Sequence, residues 1–142
     1  MRDIRIATAQ FEHCDNDKQA NLARIRDLTR QAVEQGAQVV CFHEMCIPGY
    51  TWLQTLDSDG LTALAEPVPD GPSIRQLIGM AREFSTIIMA GLLEIEQTRF
   101  YNCYVTVGPD GYITRFRKLH PFINPLLSSG ESYNIIDLLG CK

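Results

Sequence analysis

Glu44 closes an otherwise apolar run, Val39-Val40-Cys41-Phe42, and Pro48-Gly49 follows within five residues. In α/β architectures ligands collect at the carboxyl ends of strands. A carboxylate at such a place suits general-base chemistry, because partial desolvation keeps it ready to accept a proton. An ordinary solvated loop glutamate fits the same stretch. Lys118 ends a second strand-like run, Tyr112 to Lys118, just before Leu119-His120-Pro121. A lysine there can hold developing negative charge while a carboxylate moves protons, provided the two strand ends converge on one pocket. A solvated basic cluster, Arg115-Phe116-Arg117-Lys118, is the alternative. Cys41, His43 and Cys46 are metal-ligand types, but their spacing matches no zinc pattern and a second ligand pair is missing. No metal and no cofactor is expected.

The elements that must position these residues follow from periodicity. Ile4 to Gln10 alternates as a strand. Asn16 with Gln19 resembles a capping box, and Leu22, Ile25, Leu28, Ala32 and Val33 recur at helical spacing before a stop at Gly36. Gln38 to His43 reads as a strand covered on both faces. Strand, helix, strand makes a βαβ unit with parallel neighbours. Pro48 to Pro72 holds four prolines and three glycines, with a short helix expected at Leu61 to Ala65, and reads as a binding loop. Ser73 is expected to cap a helix whose Ile74, Leu77, Ile78, Ala81 and Phe84 share a face. Strands follow at Thr86 to Glu94, Phe100 to Val107 and Tyr112 to Lys118, the last two joined by the hairpin turn Gly108-Pro109-Asp110-Gly111.

The bulk numbers exclude several classes. The 142 residues suffice for one small core, and 45% hydrophobic against 21% charged residues is ordinary for a globular chain. Thirteen basic against seventeen acidic residues give −4, so no nucleic-acid surface is expected. No apolar run reaches bilayer length, no leader pattern opens the chain, and no membrane contact is expected. Five cysteines without a CxxC pair suggest buried free thiols in a cytoplasmic protein.

Taken in order, four segments resemble the carbon–nitrogen hydrolases of the nitrilase superfamily. They are the opening strand Ile4 to Gln10, Phe42-His43-Glu44-Met45 with Pro48-Gly49-Tyr50, Phe116-Arg117-Lys118-Leu119-His120, and Ser129-Gly130-Glu131 leading into a strand at Ile135-Ile136-Asp137. The resemblance is collinear over the whole chain. It implies an α/β fold, the first half of an α-β-β-α sandwich, with βαβ units followed by an antiparallel hairpin. It also implies hydrolysis of a small amide, N-carbamoyl or nitrile substrate by a Cys–Glu–Lys mechanism, with Glu44 as base and Lys118 as oxyanion stabiliser. Tyr50, Trp52, His120 and Glu131 are the residues expected to meet substrate.

The sequence departs from the family pattern in three ways. The family's nucleophilic cysteine follows the strand after Gly130 to Asp137, so it is expected to lie outside residues 1–142; Cys141 precedes that strand and is not assigned the role. No second glutamate stands between Leu119 and Ser129. The family domain is roughly twice as long. Residues 1–142 are therefore expected to form the N-terminal part of one domain, inactive alone, with a homo-oligomer or a companion second half as partner. The alternative function is a catalytically inactive half-domain serving as a binding or oligomerisation module.

Overall fold

The computed structural model describes residues 3–141. Five strands form one mixed sheet in the order β1 (Ile6–Ala9), β2 (Val39–Phe42), β3 (Ile87–Glu96), β4 (Arg99–Gly108) and β5 (Gly111–Arg117). The first three are parallel; β3–β4 and β4–β5 are antiparallel. Each parallel step needs a crossover. Helix α1 (Lys18–Glu34) supplies the first, and helix α3 (Pro72–Phe84) closes the second. Two-residue turns suffice for the hairpins. The β4–β5 turn is the expected Pro109-Asp110. The β3–β4 turn, Gln97-Thr98, carries no glycine or proline, so sequence reading did not anticipate it; Gln97 takes φ +57°.

Strand alternation sends each face of the sheet to a different neighbour. Val40, Phe42, Ile88, Ala90, Leu92, Cys103 and Val105 pack against Leu22 and Ile25 of α1 and Ile74, Leu77 and Ala81 of α3. On the opposite face, Leu93 and Phe100 meet Met45, Leu53, Leu61 and Leu64. Of the latter, all but Met45 come from the proline-rich segment, which folds as a 3-10 helix (Thr51–Thr55) and a helix α2 (Ser58–Leu64) that begins earlier than expected. Among the described residues, no helix is long and apolar enough to cross a membrane.

Three expectations are corrected. Asp17, not Asn16, caps α1: its carboxylate accepts from the Ala20 N–H at 2.9 Å, while Asn16 adopts a left-handed turn at φ +58°. Ser73 lies inside α3, behind Pro72. Its N–H and hydroxyl both donate to the buried Glu66 carboxylate, at 2.8 and 2.7 Å, so a remote acid satisfies the helix start. Ile135 to Asp137 is not a strand: Asn134 donates to the Arg115 carbonyl instead, and the nearest bridge joins Leu138 to Cys141.

Candidate active site

Glu44 lies two residues past β2 and Lys118 one residue past β5, with β3 and β4 between those strands. Two features close the gap. The chain after β2 turns over the sheet at Gly91 of β3, where the Ile47 N–H donates to the Gly91 carbonyl at 3.1 Å. A β-carbon on Gly91 would stand 2.2 Å from the Met45 nitrogen and 3.0 Å from the Glu44 α-carbon, so only glycine lets this backbone lie on the sheet. From the other side, β5 ends with the Lys118 N–H donating to the Asn102 carbonyl at 2.8 Å.

The side chains then converge. Lys118 Nζ donates to Glu44 Oε1 at 2.7 Å, and Asn102 Nδ2 donates to the same oxygen. The Tyr104 hydroxyl reaches past Gly91 and donates to the Phe42 carbonyl at 2.5 Å. Its pKa is raised, chiefly by burial, so Tyr104 keeps its proton. Together with Phe116 these residues line a cleft of about 240 Å³. The Glu44 and Lys118 side chains are 41% and 30% exposed, so the pair is less desolvated than the sequence reading supposed.

The remaining sequence candidates divide. Burial first, then the Glu44 carboxylate, push the Tyr50 hydroxyl's pKa up, which places Tyr50 beside Glu44. Trp52 is spent on packing: its Nε1 donates to the Pro48 carbonyl at 3.0 Å, and its ring joins the second core. His120 is exposed and does not line the cleft; Phe122 instead lies 5.6 Å from Lys118 Nζ. Glu131 lines a separate polar hollow with Arg115, Arg117 and Tyr101. Arg117 and Lys118 are consecutive on an extended chain, so that hollow opens on the other face of the sheet.

No cysteine lines the cleft among the described residues. The Cys46 thiol points at the Gly91 carbonyl, and burial pushes its pKa up to about 12, so it is a packing group rather than a nucleophile. Cys103 is buried on the helix-bearing face. Cys41 approaches the Met89 sulfur at 3.5 Å, and its pKa is raised by burial. Asn102, Tyr104 and Phe116 were not found from sequence. The signal was present: Asn102, Tyr104 and Thr106 are polar at every second position of a strand whose other face is core.

Residues 5–139 match the carbon-nitrogen hydrolase family across almost the whole chain. The chain belongs to the carbon-nitrogen hydrolase family. Among its relatives, a nitrilase of Pyrococcus abyssi is 30% identical over 119 residues, covering 84% of this chain and 44% of that protein. An omega-amidase of Bos taurus is 30% identical over 155 aligned positions, covering all of this chain and 53% of the relative. The crystal structure of an amidase from Nesterenkonia sp. superimposes with a TM-score of 0.71 at 21% identity, covering 91% of this chain and 49% of that one. The chain thus spans about half the length of the relatives it matches, and the family's α/β architecture over that half is the one described above.

Proposed function

We propose that the whole protein hydrolyses a non-peptide carbon–nitrogen bond, in an amide, N-carbamoyl or nitrile substrate, with Glu44 as general base and Lys118 as the cation that stabilises the tetrahedral intermediate. The observation that carries this reading is the Lys118–Glu44 pair, at 2.7 Å, at the ends of two non-adjacent strands. In the reaction a thiol gives its proton to Glu44 as its sulfur bonds to the substrate carbon. Lys118 faces the negative oxygen that results. The proton passes to the departing nitrogen as the C–N bond breaks. Water then attacks the thioester, giving a proton to Glu44, and the thiol is restored. For a nitrile, the thiol first adds across the C≡N bond to give a thioimidate; water then adds to its carbon, ammonia leaves, and the same thioester results. The buried thiols Cys46 and Cys103 suit a reducing, cytoplasmic setting for this chemistry.

The test is turnover of small amides, N-carbamoyl compounds and nitriles by the whole protein. Glu44→Gln and Lys118→Ala should each lower kcat/KM by about 10²–10⁴-fold while leaving the fold intact. Wild-type rates in either variant would end the assignment. A second reading is a non-catalytic binding module, favoured by the lack of a thiol among the described residues lining the cleft. Binding of an amide without turnover by the whole protein would select it.

A further inference from the structure

Asn102 touches both members of the pair. Its side-chain nitrogen donates to Glu44 Oε1, and its backbone carbonyl accepts the Lys118 N–H. It is 5% exposed and sits in the middle of the sheet, paired with Leu93 of β3. A carboxylate only accepts hydrogen bonds, which fixes the amide's orientation with nitrogen toward Glu44. Lys118 and Asn102 converge on one oxygen, Oε1, and neither occupies Oε2. A carboxylate held by two donors on one oxygen cannot rotate freely about its last bond. A buried amide on a strand holds its position better than a half-exposed lysine, whose stem is flexible.

We propose that Asn102 is a positioning residue: it locks the Glu44 carboxylate through Oε1, so that Oε2 is the oxygen that accepts and returns the reaction proton. The proposal deepens the reading of Glu44 as the base and rests on it. Asn102 touches no reacting atom. Its neighbour Tyr104 supports the same arrangement from the main chain, by holding the Phe42 carbonyl two residues ahead of Glu44. The lysine alone would leave the carboxylate a pivot; the amide removes it.

Two measurements test this. In the whole protein, Asn102→Leu removes the donor, and Asn102→Asp keeps the shape but sets a second carboxylate against Glu44. Both should lower kcat by about 10–100-fold with KM little changed, the size of a lost hydrogen bond to a charged group. Wild-type kcat in either variant, or an equal change carried by KM, would overturn the proposal. Independently of turnover, the Asn102 side-chain amide signal of the ¹⁵N-labelled whole protein should move on Glu44→Gln. The amides of Asn21 and Asn124, which donate to backbone carbonyls, should stay in place. An Asn102 signal that ignores Glu44→Gln overturns the proposal. A whole protein that hydrolyses none of the three substrate classes would sink the functional reading instead, and the amide signal would still decide whether Asn102 holds the carboxylate.

Discussion

At the scale of single residues, Gly91 and Cys46 carry separable consequences. Gly91 is where the Glu44–Met45 backbone lies on the sheet, and a β-carbon there meets the Met45 nitrogen at 2.2 Å. Gly91→Ala should destabilise the fold by about 1–3 kcal/mol, read by urea denaturation. It should also lower turnover of the whole protein by about 10²-fold, because a displacement of about 1 Å moves Glu44 with its backbone. Cys46 makes a pH prediction. Its thiol is pushed from an ordinary 9.0 up to about 12 by burial. The folded chain keeps this proton over a range in which the unfolded chain releases it. The stability involved is whole below pH 9 and is lost as pH rises from 9 toward 12, by about 1.4 kcal/mol per unit for one thiol. Denaturation midpoints measured across that range should fall, and Cys46→Ala should flatten the fall.

At the scale of elements, the β3–β5 strands hold an ionic cluster on the helix-bearing face. Glu94 is fully buried and accepts from Arg115 at 2.5 Å and from Arg117 at 2.6 and 2.9 Å. Arg117 also lies over the Tyr101 ring at 3.7 Å. The cluster ties β5, an edge strand, to β3 across β4. Glu94→Ala would leave Arg115 and Arg117, 28% and 18% exposed, with only the more exposed Glu96 as carboxylate partner in the cluster. It should cost about 3 kcal/mol, the lower end for a broken buried pair because both arginines keep some water. Equilibrium unfolding measures it. This cluster also shows what was legible in the sequence. Period-2 alternation, short apolar runs and period-3.6 patterns located the five strands and the two long helices, because burial of one face or of both dictates those patterns. Glu44 was legible because it follows an apolar run, and Lys118 because it ends a strand-like run just before His120-Pro121. Asn102, Glu94 and Glu66 were not, because their partners lie on other elements and a linear chain does not reveal which carboxylate meets which donor. The β3–β4 turn was missed for a local reason: Gln97 takes a left-handed conformation without glycine.

At the scale of the whole molecule, β1 is an edge strand paired, among the described residues, only with β2, and Ile6 on it is 58% exposed. Open, apolar edges are templates for pairing with another chain. The 142-residue chain should therefore sediment as more than a monomer, and Ile6→Lys should shift it toward the monomer in analytical ultracentrifugation; identical monomeric profiles would refute this. The pair at the centre of the cleft has a consequence for synthesis. Its two members are 74 positions apart in the chain. At about 5–20 residues per second, the ribosome adds Lys118 about 4–15 s after Glu44. During that interval the β1–α1–β2 unit can already be outside the exit tunnel with its acid unpaired. The acid and its cation are thus brought together by a hairpin made well after the acid, and a nascent chain stalled before β5 would carry the acid without its cation.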